Sequence, residues 1–294
     1  MSSIFGVILG LLTALSKTSA DLISKHSLNT EINEYVIGWA LRFFALPFLF
    51  VALLIFGLPE SIEFEFYYSV FISGIISIIA TVYMMKAYKL SDISIIAPLY
   101  SAGPILLLVT SPIMINEFPS PIGLFGVILI LIGLYVMKIK SAKVGFLEPI
   151  KAMIHEPGVK YMGIVLVLYS ISANIDKIGT EASSAVFYSF SLHVVAVLGL
   201  TPLMILKSDN WKSEVKENTK YIIPMGLFNG LASVLYMAAF TYTLVIYVSA
   251  IKRVSTVTTV IGGWLILGED NISERLPGAI LIIFGVIFIA VSLS

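Results

Sequence analysis

The chain has 294 residues, 58% of them hydrophobic and only 12% charged, with a mean hydropathy of +0.99, whereas an ordinary soluble domain carries about 25% charge. Its 18 basic and 18 acidic side chains cancel, which leaves no electrostatic footprint for a nucleic acid. No cysteine is present, so disulfides, thiol nucleophiles and thiolate metal sites are excluded.

Apolar runs of roughly 20 residues recur along the chain, the length that crosses a bilayer as a helix, and not the ten-residue alternating segments of an outer-membrane barrel. Between charged or Pro/Gly-rich breaks they give ten expected spans, at 3–25, 34–56, 66–87, 93–115, 121–139, 160–180, 183–206, 221–243, 246–267 and 276–293. The first is expected to remain in the mature protein, because no basic segment precedes Ile4 and no small-residue cleavage site closes a short apolar core. The polar stretch around 141–158 divides the spans five and five.

The first span carries Lys17, Asp21 and Lys25 at steps of four, which places all three on one helical face. Lys17 stands 13 residues after Ile4, or roughly 20 Å along a helix. That is near mid-membrane, where a charge costs several kcal/mol unless it pairs or lines water. The functional reading places the pair on a cavity, with Asp21 holding a substrate ammonium or a proton and Lys17 a carboxylate or phosphate. The bland alternative is an internal Lys17–Asp21 pair that tethers the helix. Lys25, Lys177 and Lys86, near span ends, read as side chains reaching the interface.

Farther along, Arg42 lies in the second span and Tyr83 in the third. The fourth span holds Tyr100 and is broken by Pro98, Gly103, Pro104 and Pro112. Freed backbone carbonyls are tolerated at membrane depth only where they are buried in protein or face water, so Pro98, Gly103 and Pro104 are hinge or gating candidates. Tyr169 and Asn174 fall in the sixth span, His193 in the seventh, and Tyr236 and Tyr242 in the eighth. Tyrosine and amide groups of this kind orient small ligands. His193 reads as a hydrogen-bonded packing residue sooner than as a proton sensor. The ninth span carries Lys252 and Arg253 among small hydroxyl residues, and the planar donor fork of Arg253 suits a carboxylate or phosphate.

The halves repeat one another. Glu117, Gly126 and Gly133 recur as Glu269, Gly278 and Gly285, each 152 residues later, and the same shift carries Ala87 onto Ala239 and Lys25 onto Lys177. Five spans per half is an odd number, so the second half is expected upside down relative to the first, the inverted repeat of secondary transporters. Groups present in both halves read as scaffold, and Glu117 and Glu269 are expected to favour the start of the helix that follows each of them. Lys17, Asp21, Arg42 and Arg253 land on Tyr169, Ala173, Val194 and Ser101 under the shift, so they belong to one half only.

Basic residues crowd the loops after odd-numbered spans, from Lys89 through Lys138–Lys160 and Lys207–Lys220 to Arg275, while the loops after even-numbered spans carry none. The positive-inside rule then places both termini outside.

The pairs "ADLISKHSL" with "ANIDKIGTE", "YMMKAYKLSDISIIAPLYSAGPI" with "LYMAAFTYTLVIYVSAIKRVSTV", and "NEFPSPIGLFGVILILIGLYVM" with "GEDNISERLPGAILIIFGVIFIA" resemble the EamA-type branch of the drug/metabolite transporter superfamily over nearly the whole chain. The resemblance implies ten helices in two inverted five-helix repeats, a central cavity framed by the third, fourth, eighth and ninth helices with help from the first and sixth, and export of small metabolites. Relatives commonly hold an uncharged residue where Lys17 stands.

The expectation is an all-α integral membrane protein with repeats at 1–140 and 159–294 joined by a cytoplasmic linker at 141–158. It is a secondary-active exporter of a small polar metabolite such as an amino acid, working by alternating access in the plasma membrane as monomer or homodimer. Substrate contacts are expected from Lys17, Asp21, Arg253, Tyr83, Tyr100, Tyr169, Asn174 and Tyr236, with a proton or ion as possible coupling partner and no cofactor or metal. The alternatives are transport of organic cations or drugs, or a non-transporting receptor or scaffold. An enzyme is disfavoured, because the three His are scattered and no H-E-x-x-H motif occurs, and the absence of a P-loop motif excludes direct ATP coupling.

Overall fold

The computed structural model describes residues 2–28, 32–90, 100, 102–142, 157–258 and 272–293. Among them all regular structure is helical: α1 Ser2–Leu28, α2 Glu34–Phe43, α3 Ala45–Phe56, α4 Phe64–Leu90, α5 Gly103–Ile115, α6 Pro121–Ala142, α7 Pro157–Glu181, α8 Ala185–Lys207, α9 Trp211–Glu217, α10 Thr219–Phe240, α11 Val245–Lys252 and α12 Ile272–Ser292. Six helical segments are long and apolar enough to cross a membrane, namely Glu34–Phe56, Phe64–Met84, Pro157–Glu181, Ala185–Lys207, Thr219–Phe240 and Arg275–Ser292. Three shorter apolar ones are Ile4–Ala20, Gly103–Ile115 and Pro121–Met137.

Among the described residues three expected spans are interrupted. The second breaks at Phe44 because Pro47 has no N–H to give the carbonyl of Phe43, four residues back. The ninth contains neither Pro nor Gly at the break, yet α11 ends at Lys252 and helix resumes only at 254, with the N–H of Arg253 bonded to the carbonyl of Ala250 at 3.0 Å. The fourth is interrupted by a turn at Ala102, one residue past the position that the shift pairs with Arg253, and α5 begins there without a side-chain cap.

Packing follows the repeat. α1 lies against α10, and the equivalents α7 and α4 lie against each other; α5 packs on α7 as α11 packs on α1. The pairs α2–α8, α5–α11 and α6–α12 map onto themselves when the halves are exchanged. The α6–α12 seam shows how the halves are related. A Cβ on Gly126 would lie 2.6 Å from the carbonyl oxygen of Gly285, and one on Gly133 would lie 2.6 Å from that of Gly278. These equivalent helices therefore run antiparallel with backbones in contact, the close approach that small residues permit between membrane helices.

Amphipathicity is inside out. Leu54, Ile55, Phe56, Phe64 and Ile113 are exposed where lipid would lie, while Ser69, Ser73, Ser77 and Thr81 form a buried stripe along α4 against Ser172, Asp176 and Thr180 of α7. Hydroxyls at four-residue spacing can satisfy one another and the backbone across such a seam, as the 2.8 Å bond from Thr81 Oγ1 to the carbonyl of Ser77 does along α4.

Candidate functional site

The helix interruption at Arg253 faces the start of α5. A Cβ on Gly103 would stand 2.8 Å from Nη2 of Arg253, so the guanidinium end packs directly against the glycine. The guanidinium carbon lies 4.7 Å from the ring centre of Tyr100, which in turn meets Tyr169 edge-on at 6.2 Å. Arg253 Nε is buried with no hydrogen-bond partner, and among the described residues no acceptor meets its planar fork. An arginine stacked on a ring and left with open donors is an anion receptor in waiting.

Next to it, Lys252 Nζ stands 4.1 Å above the ring centre of Tyr236, whose hydroxyl bonds Ser249 Oγ at 2.8 Å. The two basic side chains thus stack on tyrosines from opposite halves, Arg253 on Tyr100 and Lys252 on Tyr236. Two turns along α7 from Tyr169 lies Asp176, bonded by the Tyr188 hydroxyl at 2.8 Å, and Arg42 of α2 donates from Nη2 to Ser77 Oγ at 3.1 Å. The arrangement can hold an anion at Arg253 and a proton at Asp176.

A profile of the EamA-like transporter family matches residues 4–139 and again residues 157–291. The chain belongs to the EamA-like transporter family. Each half of this EamA-like protein is one copy of the family unit, and the family is part of the drug/metabolite transporter superfamily of membrane transport proteins. A crystal structure 14% identical in sequence covers 96% of this chain and 97% of its own, with a TM-score of 0.77, which places the two in one fold. No curated protein sequence matches closely enough to add an activity.

The structure of this family member distributes the residues singled out from the sequence as follows. Arg253, Tyr100, Tyr169 and Tyr236 gather around the interruption. Lys17 is half-buried on α1, beside Thr18, which bonds Thr258 Oγ1 and the carbonyl of Ser255 and so ties α1 to the ninth span. Asp21 lies on α1 with its side chain outside the described residues, as does that of Lys25; Pro98 and Glu269 fall outside them altogether. Tyr83 stacks on Tyr161 at 5.8 Å beneath the exposed Lys86, and packs with Tyr100 and Tyr169 on the cluster of Ala80, Ala87, Met162 and Val165.

Two expectations, those for Lys177 and Glu117, are corrected by contact geometry, and Asn174 is placed by it. Asn174 is fully buried between α5 and α7, with Oδ1 accepting from Ser111 at 2.8 Å and Nδ2 donating to Thr110 Oγ1 and the carbonyl of Ser170. In this structure its donors hold helices together. Lys177 does not reach for the interface; it forms an ion pair with Glu117, the two side chains being 14% and 10% exposed. Glu117, in turn, serves not the start of α6 but that of α11, accepting from the Val245 N–H at 2.9 Å. The start of α6 is capped by Ser120 Oγ, which accepts from the Gly123 N–H, while the Ser120 N–H donates to the Tyr247 hydroxyl at 2.9 Å. His193 is the packing residue expected, with Nδ1 at 2.8 Å from the carbonyl of Ser189.

Asp176 was missed. It sits in the motif "ANIDKIGTE", which reads as scaffold as a whole, yet the 152-residue shift lands it on Ser24, and its spacing of four from Ser172 and Thr180 marks the inward face of α7. Those two signals together single it out.

Proposed function

We propose that this EamA-like protein is a secondary-active exporter of a small anionic or zwitterionic metabolite such as an amino acid, working by alternating access in the plasma membrane. On this reading ten helices form two inverted five-helix repeats, 1–140 and 159–294, joined by the linker 141–158, with both termini outside. The observation that carries it is Arg253, held over Tyr100 at a helix interruption with open donors facing the start of α5. Discontinuous helices near the midplane, one from each repeat, are the usual way a transporter builds its binding site.

Arg253 binds the carboxylate or phosphate of the substrate, and Tyr100, Tyr169 and Tyr236 enclose its apolar part. Lys17 approaches from α1 as a second anion contact, and Asp21 receives an ammonium. Gly103 and Pro104 at the start of α5, with Pro98 before them, absorb the backbone change between inward-open and outward-open forms. Two basic groups flanking the tyrosines disfavour organic cations as substrates.

The experiment is counterflow in proteoliposomes preloaded with unlabelled amino acids, dicarboxylates or phosphorylated metabolites. Uptake of the matching labelled compound, abolished in Arg253→Ala that folds normally, is the expected result. No counterflow for any compound would instead favour a non-transporting receptor or scaffold.

A further inference from the structure

Asp176 is a carboxylate inside the bundle that neither the repeat nor an anion site needs. It is 7% exposed on α7, and among the described residues it makes no ion pair. Oδ1 accepts from the Tyr188 hydroxyl at 2.8 Å. Oδ2 has Ser172 Oγ at a long 3.5 Å, that hydroxyl's single proton is also directed at Ser73 Oγ, 3.2 Å away, and the Ser73 hydroxyl itself reaches the carboxylate. A proton on Oδ2 would resolve this competition, because the acid would donate to Ser172 and leave the serine hydroxyl to Ser73.

The charged and titratable groups that face Asp176 come from several helices. They are Arg42 from α2, Lys252 from the end of α11, Tyr188 from α8 and Tyr236 from α10. α4 presents Ser73, and on α7 itself Lys177 is held by Glu117. His193, farther along α8, is bonded to the carbonyl of Ser189 and faces Asn229. Enclosed without a counter-ion at contact, a carboxylate costs several kcal/mol as an anion and far less as the neutral acid. Once water reaches the site from one side of the membrane or the other, that cost falls and the acid can ionise. So enclosed a group admits a proton but not an ammonium.

We propose that Asp176 is the residue on which this protein carries a proton, and that an anion bound at Arg253 and Lys252 draws that proton in with it. The proposal rests on the transporter reading above. Arg42 and Lys252 favour the carboxylate. An anion that binds beside Lys252 offsets part of that field, so substrate and proton bind together, and by linkage each raises affinity for the other. The proton is taken to Oδ2 from water on the side the anion leaves and returned to water on the other, with no other bond made or broken, so that export runs on the outward gradient of the anion itself.

Two measurements test this separately from the transport reading. The first is the infrared spectrum of the reconstituted protein across a pH titration, in which wild type should show the carbonyl stretch of a buried protonated acid near neutral pH. The band should vanish in Asp176→Asn and persist in Glu117→Gln. Should Asp176→Asn fail to fold, Tyr188→Phe, which removes the close donor, should shift the band. No such band in wild type, or a band insensitive to these changes, overturns the proposal whatever the protein transports. The second uses vesicles enclosing a pH dye, to which glutamate, succinate or inorganic phosphate is added outside. Any of these that enters through wild type should acidify the interior, and in Asp176→Asn the acidification per anion that still enters should be lost. Acidification undiminished in Asp176→Asn overturns the proposal. Absence of flux for every anion counts against the transport reading, and the infrared band still decides Asp176.

Discussion

Tyr100 and Arg253 meet across the two halves, 4.7 Å from guanidinium carbon to ring centre, and their counterparts under the 152-residue shift are Lys252 and Ser101. A symmetric scaffold thus places a ring from one repeat beneath a cation from the other, at the point where both helices are interrupted. Because the counterparts differ in chemistry, the site is polar in a direction that the scaffold is not. A charge-assisted hydrogen bond contributes about 1.5–3 kcal/mol. Arg253→Ala should therefore weaken anion affinity by roughly 10- to 100-fold, and Arg253→Lys should recover only part of it because the planar fork is lost. Equilibrium binding of the counterflow substrate measures both.

Glycine substitutions on the α6–α12 seam separate packing from helix propensity. Gly→Ala in a helix interior ordinarily gains close to 1 kcal/mol. At Gly126, Gly133, Gly278 and Gly285 the added Cβ meets backbone oxygen at 2.4–2.6 Å, so each change should destabilise by roughly 1–3 kcal/mol. Gly163→Ala, with nothing within 4 Å of the new atom, should be neutral or stabilising. Thermal unfolding in detergent reads the contrast.

The seam also shows what was legible in the sequence. The spacing of 9 and 7 between Glu117, Gly126 and Gly133, repeated at Glu269, Gly278 and Gly285, marks the repeat, and the glycines prove to be the positions where the two helices touch. Glu117 was harder to read, because its partners, Lys177 and the Val245 N–H, lie 60 and 128 residues away. The break at Arg253 carries no Pro or Gly and is imposed by tertiary packing, so local propensity could not announce it. Asn174 resembles a ligand contact in sequence for the same reason that it makes a good tie, since an amide serves either use.

Glu117 joins three elements, so its removal should cost more than that of its partner. Glu117→Ala leaves a mostly buried ammonium and an unsatisfied Val245 N–H, and roughly 3 kcal/mol of stability should be lost. Lys177→Met leaves the cap on α11 in place and should cost less. The ranking is checked by thermal unfolding of the single variants and of Glu117→Gln combined with Lys177→Met.

Asn174→Leu should destabilise by about 1–3 kcal/mol, because Ser111 and Thr110 lose their partner in a buried seam. Substrate affinity in the folded fraction should stay within a few-fold of wild type. A selective loss of binding with stability intact would return Asn174 to the ligand site.

Orientation can be read directly because the chain has no cysteine. Single cysteines at Ser213, in the short exposed helix α9, and at Ser2 should label from opposite sides of intact cells with an impermeant reagent, Ser2→Cys outside and Ser213→Cys only after lysis. The reverse pattern would invert the topology.

The most direct test of an anion site at Arg253 is thermal unfolding of the purified protein against amino acids, dicarboxylates, phosphorylated metabolites, sugars and organic cations. A ligand at about 100 times its dissociation constant stabilises by roughly 2.7 kcal/mol. The account predicts that a carboxylate or phosphate compound gives such a shift and that Arg253→Ala abolishes it. Stabilisation by organic cations alone, or by an anion equally in Arg253→Ala, would contradict it.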